Sequence, residues 1–407
     1  MNLFQIAWNY VWRRRLTTSL TVFSVAVGVA LISTVMTLRK EANRAFLEQS
    51  RSYDAIVGAK GSPLQLTLST IYYLDVPTGN ILYSDYEKLL ADLRVESAYP
   101  LGLGDSYHGF RIVGTSASFF QQDRARGKKD QKEPLFRVAN GRLFERDMEI
   151  VAGSFVARSL GLALGDKVIA THGVVAAHGA PEHAASPYTV VGILRPTRTA
   201  NDRALFSSLR SVWKIHGHEE NSHEEPEVTA ALIRLKSAAH RFSFVESVNA
   251  GYNAMAAIPT MEIAKFAARV LLPSQKILLA IGYLVVLVAA LSILVSLYLA
   301  TAQRKRDLAI MRGLGASALE VFTMVLTESF TISGLGVIVG VVLGHVASSM
   351  LGRFLYLSTG IITNPLSFAA SEVIACGVVF LVGLAAGVLP AWEAYRSEVV
   401  EGLSARW

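Results

Sequence analysis

Two stretches of this chain are so long and so free of charge that one environment suits them far better than any other. Ile277 to Ala300 contains no acidic or basic residue, and Ser329 to Leu351 contains only His345 as a titratable group. Each exceeds the ~18 apolar residues at which a membrane-spanning helix becomes the default expectation. Between them lies the turn Arg304-Lys305-Arg306-Asp307-Leu308-Ala309-Ile310-Met311-Arg312-Gly313-Leu314-Gly315-Ala316-Ser317, with four basic residues against one acid. Positive charge beside the ends of spans stays on the cytoplasmic side, so the turn faces the cytosol. Its apolar residues followed by Gly313 and Gly315 predict a short helix closed by a glycine cap. A basic anchor that sets topology would account for the charges. The apolar residues and paired glycines argue for a docking surface as well.

Two further spans follow from the same test. Leu16 to Leu38 is uncharged, is preceded by Arg13, Arg14 and Arg15, and ends at Arg39-Lys40 without a small-residue cleavage site. It is longer than the ~7–15 residues of a signal-peptide core, so it reads as an uncleaved span. The full division is an interfacial helix at 1–15, spans at 16–38, 277–300, 321–351 and 368–389, a cytoplasmic turn at 301–320, a short outer loop at 352–367 and a C-terminal surface helix at 390–407. The fourth span is expected to stop at Pro390. Gly336, Gly340 and Gly344 recur at the spacing that lets two helix backbones approach closely. Glu328, near the cytoplasmic end of the third span, reads as a snorkelling or capping carboxylate, with a functional role as the alternative. The fold class is therefore an integral membrane protein of four transmembrane α-helices, with a large α+β extracytoplasmic (periplasmic) domain between the first and second.

That domain, 39–272, has the composition of a water-exposed unit. Short β-type runs at Asp54–Val57, Phe110–Val113, Glu149–Val151, Lys167–Ala170, Tyr188–Ile193 and Val228–Leu235 alternate with helix candidates at Ser84–Ala91 and Gly153–Leu160. They predict a two-lobed α+β domain and no βαβ series. Arg39 to Asp54 and Glu246 to Gln275 read as helical stalks, the second interrupted at Pro259 and Pro273. Of the nine histidines, eight lie between 108 and 240, six of them in two clusters: His172, His178, His183 and His216, His218, His223. Tracts rich in imidazole and carboxylate can hold Zn²⁺. They can equally be solvated polar loops, and no closed four-ligand spacing points to structural zinc.

The net charge of +7 does not point to nucleic acid. Arg13, Arg14, Arg15, Arg304, Lys305, Arg306 and Arg312 lie beside spans, where lipid headgroups are the natural partner. The single cysteine, Cys376, excludes a disulfide within the chain. No Gly-x-x-x-x-Gly-Lys-Ser/Thr run occurs, so the chain has no phosphate-cradling loop of its own, and the mimic Gly58-Ala59-Lys60-Gly61-Ser62 lacks the spacing. Gly-x-Ser-x-Gly, His-Glu-x-x-His and Cys-x-x-Cys are missing too, so no enzyme signature is present.

The residues Arg304, Arg306, Asp307, Ala309, Ile310, Met311, Arg312, Leu314, Gly315 and Ala316 stand in an order that resembles the coupling-helix signature of the FtsX/MacB-type permeases, the membrane subunits of type VII ABC transporters. Ala7-Trp8-Asn9, Arg13 to Leu20, and Leu389-Pro390-Ala391-Trp392-Glu393-Ala394-Tyr395-Arg396 agree with it, and Ser154 to Lys167 is similar to a helix-then-turn of the family's periplasmic core. The resemblance implies a homodimer with two copies of a separate ATPase, which binds the ATP and Mg²⁺, while this chain binds no cofactor itself. Arg304, Arg306, Asp307, Met311, Arg312, Leu314 and Gly315 would dock that ATPase, and the stalks would carry motion outward to export or extract a hydrophobic or peptide-like substrate. A periplasmic adaptor or substrate-binding protein is a further partner to expect. The large outer domain favours a bacterial inner membrane. Two other readings stay open: a zinc-linked ABC transporter using the histidine-rich loops, and a non-transporting signal transmitter that activates a periplasmic enzyme.

Overall fold

The computed structural model describes residues 14–123, 134–173, 186–216, 225–359, 364, 367–368 and 370–396. The expected helix at 1–15 therefore lies almost wholly outside the described residues, as does the chain beyond Arg396. Contacts divide the chain into two compact units, one of Met1–Ala42, Leu271–Gly352 and Thr363–Trp407, the other of Asn43–Val270 and Arg353–Ile362.

The second unit is built on an eleven-stranded sheet. Its strands are β1 (Ala55–Gly58), β3 (Val95–Tyr107), β4 (Phe110–Thr115), β5 (Val138–Gly141), β6 (Glu149–Ala152), β7 (Lys167–Val168), β8 (Thr171–His172), β9 (Tyr188–Leu194), β10 (Leu205–Ser208), β12 (Ala230–Leu235) and β13 (Met255–Ala257), while β2 (Ile81–Leu82) and β11 (Glu227–Val228) pair separately. The central path runs β13-β1-β12-β3-β4-β10-β6-β9-β5. Two separate lobes are not seen, because β3 is long enough to join both halves. Its first part pairs with β12, its second with β4, and its Asp105 and Ser106 with β8. Most pairs are antiparallel, but β4 with β10 and β6 with β9 are parallel. A parallel pair needs a crossover, and α4 (Ser154–Leu160) lies in the chain between β6 and β9. The domain thus contains a βαβ step that short strand runs alone did not reveal.

Both faces of the inner strands are buried, which explains their almost unbroken apolar sequences. Along β12, Ala230 and Leu232 enter one cluster, and Ala231, Ile233 and Leu235 enter another. The first cluster is dominated by rings, with Phe119 5.7 Å from Phe206 and 5.1 Å from Phe136. The second is closed by α3 (Tyr83–Leu90) and α6 (Arg241–Gly251), which bury Tyr86, Leu89, Phe244 and Val248. The segment 246–258, expected as stalk, is instead part of this domain: Val248 is buried and β13 pairs with β1. Helix α2 (Pro63–Ile71) completes the first face, started by Ser62, whose hydroxyl accepts from Gln65 N–H, and by Pro63 in its first turn.

Most of the long helical segments fall in the first unit. Among the described residues four helices are long and apolar enough to cross a membrane: Arg15–Ser50, Pro259–Gln303, Ala318–Leu357 and Ala370–Arg396. We call the α-helical elements α1 (Arg15–Ser50), α7 (Pro259–Phe266), α8 (Leu272–Gln303), α10 (Ala318–Thr359) and α11 (Ala370–Arg396). The helical path is interrupted before Pro259, where β13 intervenes, but not at Pro273. Pro259 opens α7, and Pro273 falls in the first turn of α8 after a π-helical turn at Ala267–Leu271, a position where a missing N–H costs least. Nor does α11 stop at Pro390: it continues to Arg396, with Pro390, Ala391 and Ala394 buried. A proline inside a helix removes one hydrogen bond, and burial of the following turn holds the helix together.

Small residues set the distances between these helices. A Cβ added at Gly336 would lie 2.6 Å from Val25 Cβ, and one at Gly340 2.5 Å from Val29 Cβ. At Gly344 it would meet Ser33 Cβ at 2.7 Å. Gly383 and Gly387 of α11 likewise face Ser333 and Ser329 of α10. The interior also carries polar groups that the sequence reading passed over. Glu372 is 1 % exposed, accepts from the Ser33 hydroxyl and lies 3.2 Å from His345 Nε2.

One surface pair contributes to how the second unit responds to acid. Arg142 donates through Nη1 to Glu149 Oε2 at 2.7 Å and through Nη2 to Oε1 at 2.5 Å, and the Glu145 and Arg146 N–H groups donate to the same carboxylate. The Arg142 hydrogen bonds, ahead of those backbone donors, hold Glu149 down to about 2 against a usual 4.5. A carboxyl depressed on folding contributes stability above its unfolded value, and that contribution is lost as pH falls through the folded one. Between pH 5 and pH 2 the purified chain should therefore lose thermal stability, and Glu149→Gln should flatten that part of the profile. A Glu149→Gln profile parallel to the parent's over that window would remove the pair from the account.

Candidate functional site

Two places combine exposure with placed chemistry. The first is α9 (Lys305–Gly313), the short helix between α8 and α10. Both of its boundaries with α10 are chemically closed. Gly315 adopts φ +108°, which L side chains avoid, and the Ala316 N–H reaches back to Met311 O at 3.0 Å. Ser317 then starts α10: its hydroxyl accepts from Glu320 N–H at 3.2 Å, while Glu320 Oε2 accepts from Ser317 N–H at 2.7 Å. That reciprocal arrangement is a capping box.

The residues of the turn separate into an inner and an outer set. Leu308 is buried with Val321, Met324, Val325, Ala391 and Ala394, and Met311 packs half-buried against them. Arg304 is also inside: its Nε donates to Ala300 O at 3.0 Å and its Nη2 to Glu328 Oε2 at 2.9 Å. Glu328, only 4 % exposed, is thus the internal counter-charge of the turn and not a snorkelling group. Arg306, Asp307, Ile310, Leu314 and Gly315 remain exposed, Leu314 at 85 %, and Arg312 is half-buried.

The second place is in the second unit, around Asp105. The pairing of β3 with β4 shifts register between Leu103 and Ser106, a bulge that re-aims the side chain it carries. Asp105 sits in that bulge and is 2 % exposed. Across the strand pair, His172 is its direct partner, with Nδ1 3.0 Å from Asp105 Oδ1. The other carboxylate oxygen meets His216 Nε2 at 3.1 Å. His216 caps the C-terminus of α5 (Leu209–Ile215), which follows β10 directly.

Glycines make this approach geometrically open. A Cβ at Gly102 would meet Leu209 at 3.0 Å, one at Gly114 would meet Val212 at 2.5 Å, and one at Gly104 would stand 3.7 Å from His216 Nε2. With side chains there, α5 would be pushed off the sheet and His216 with it. The hydrogen bond that His216 makes to the Asp105 carboxylate raises its pKa above the ordinary 6.5 even though burial acts the other way. Burial first, and then the Asp105 charge, also push up the phenol of Tyr188 nearby.

Of the six histidines singled out in the sequence, the structure brings together His172 and His216, their rings 4.9 Å apart. His178, His183, His218 and His223 lie outside the described residues. Asp105 gave no sequence signal, being 67 residues from one histidine and 111 from the other.

Comparison with known proteins gives two matches to family models. Residues 279–399 match the FtsX-like permease C-terminal model, and residues 18–250 match the MacB-like periplasmic core domain. No protein with a curated description matches the sequence. Solved structures that align include the extracellular domain of the noncanonic ABC-type transporter YknZ from Gram-positive bacteria, at 14% identity and TM-score 0.30, over 50% of this chain and 99% of that one. The periplasmic region of MacB from Actinobacillus actinomycetemcomitans aligns at 12% identity and TM-score 0.34, over 54% of this chain and 95% of that one. The two family matches, not these structural likenesses, carry the weight.

The buried pair in the turn has a measurable consequence. Removing one partner of a buried ion pair strands the other and costs about 3–5 kcal/mol, whereas replacing both by apolar groups is often neutral. Arg304→Ala should lower the thermal unfolding temperature of the detergent-purified chain by several degrees, and Arg304→Met with Glu328→Leu should recover most of the loss. Equal damage from the single and the double variant would show that the two side chains are not energetically coupled.

Proposed function

Since this chain belongs to the FtsX/MacB-type permease family, we propose that it is the membrane subunit of a type VII ABC system, inserted in a bacterial inner membrane and driven by a separate ATPase. The observation that carries the proposal is the surface of α9. A helix of nine residues, capped at Gly315 and keyed to α10 through Ser317 and Glu320, presents Ile310 and Leu314 to the outside beside Lys305 and Arg306. An apolar anchor inside a charged rim is the usual anatomy of an interaction hot spot. The helices around it add support: α8 turns Ile281, Leu284, Leu287, Leu291 and Val295 outward, a surface suited to hydrocarbon and costly in water.

In this reading two ATPase copies bind the turns of two permease copies. Hydrolysis moves α9, and helical segments without a break, Arg15–Ser50 and Pro259–Gln303, relay the motion outward. Periplasmic-domain movement then exports or extracts a hydrophobic or peptide-like substrate, with an adaptor as a further partner. ATP and Mg²⁺ belong to the ATPase. A metal-linked variant of the same machine is favoured by one observation, the Asp105 carboxylate between two imidazoles.

Docking is tested by Ile310→Asp with Leu314→Asp. Placing unpaired carboxylates in an apolar contact costs at least about 2 kcal/mol each when desolvated. The double variant should retain its detergent-monitored fold, since both side chains are exposed, but should no longer retain the co-expressed ATPase on an affinity column. Glu225→Lys, exposed in the outer unit, should behave as the parent. Wild-type retention of the ATPase by the double variant would leave the turn as a topological anchor alone.

Sidedness is tested separately. In a Cys376→Ser background, a cysteine replacing Ala239 should react with an impermeant thiol reagent in spheroplasts, and one replacing Leu319 should react only after the membrane is opened. The reverse pattern would invert the proposed topology.

A further inference from the structure

We infer that the outer domain carries an exchangeable binding site for a divalent first-row transition ion, built by Asp105, His172 and His216. The proposal does not rest on the ATPase reading, because the site lies within the outer unit and uses no residue of the turn.

Three features make these residues a donor set. The three groups offer two ring nitrogens and a carboxylate oxygen, all within 4.8 Å of one another. The separations of 3.0 and 3.1 Å between donor atoms match the edges of a coordination shell whose bonds are about 2.1 Å long. The donors also come from three different elements: the bulge in β3, the facing strand β8 and the end of α5. A local sequence accident would not converge them, and the glycines at 102, 104 and 114 clear the space in which they meet.

The chemistry narrows the ligand. Imidazole with carboxylate suits zinc and its neighbours in the first transition row, whereas magnesium and calcium prefer shells made of oxygen alone. Three protein ligands leave coordination positions for water or an incoming group, the arrangement of open sites and not of closed structural ones. The His172 side chain is 51 % exposed, so an ion can reach the site from solvent and leave it again. Asp105 is the inner wall, 2 % exposed, and each of its two oxygens faces one of the two rings. The two histidines already hydrogen-bond to it; a metal ion would take those same lone pairs after displacing the protons between them.

The bland alternative is a carboxylate that merely anchors two imidazoles and binds no ion. Zn²⁺ and Co²⁺ serve as probes, on the full chain in detergent after chelator treatment and without any ATPase. Calorimetry should find one Zn²⁺ per chain, and Co²⁺ should give visible absorption of a nitrogen-ligated ion. His172→Ala should weaken Zn²⁺ binding by more than about tenfold and remove the Co²⁺ spectrum. Because His172 is half-exposed, its unfolding temperature without metal should stay that of the parent, so the loss would not be one of folding. Asp105→Asn should do the same to the spectrum. A variant with His178, His183, His218 and His223 all changed to Gln should keep both signals. No binding by the parent overturns the site. Binding that survives His172→Ala but vanishes in the four-histidine variant overturns it equally, and assigns the ion to the tracts. Loss of ATPase docking in the experiments above would leave these results untouched.

Discussion

A charge taken out of water costs several kcal/mol unless another group meets it, and four of the buried charged groups among the described residues show how that is done. Arg304 and Glu328 meet at 2.9 Å where α8 passes into the turn. Glu372 lies against His345 and Ser33 among the long helices. In the outer unit Asp54 receives Arg241 at 2.6 Å and the Leu235 N–H at 2.8 Å, which ties the end of α1 to the sheet and to the start of α6. Asp105 receives two histidines. In three of these cases the partner comes from a distant part of the sequence, so each pair specifies which elements come together. Apolar contacts alone would tolerate sliding; a buried pair does not.

Between the long helices the same specificity is obtained by subtraction. Glycines at 336, 340 and 344 accept Val25, Val29 and Ser33, and those at 383 and 387 accept Ser333 and Ser329. Without bulky side chains at the contact, dispersion and weak polar contacts act at short range, which is the main source of helix association where water is absent. The serines and the acid–histidine pair give the bundle interior a polar strip that a hydropathy count cannot register, since hydropathy averages over faces.

Much of this was legible in the sequence. Uncharged length marked the long apolar helices, and the order of glycine and polar residues marked the turn, because those signals depend on residues near each other. Strands such as Ala55–Gly58 and Tyr188–Leu194 announced themselves through unbroken apolar runs. The 13-residue β3 did not, because Pro100, Gly102 and Gly104 look like breakers. In the folded chain Pro100 still uses its carbonyl, accepting from the Thr115 hydroxyl, and the glycines make way for α5. Helix α11 carries on through Pro390 because packing of Ala391 and Ala394 outweighs one missing bond. The division of the turn was hidden for a similar reason. Arg304 and Arg306 are alike in sequence, but only the former lies within reach of Glu328, 24 residues on. Asp105 could be found only once β3, β8 and α5 were placed.

The closure between α9 and α10 bears on how freely the two helices can move against each other. Only Ala316 separates the glycine that ends one helix from the serine that begins the next, and both helix ends have their backbone groups satisfied. A joint of that kind has almost no slack: rotating α9 about it means breaking a cap on one side or the other. The orientation of the short helix is therefore tied to that of α10 more closely than a loop would tie it. The angle between the two helices is thus fixed by two caps and one residue between them.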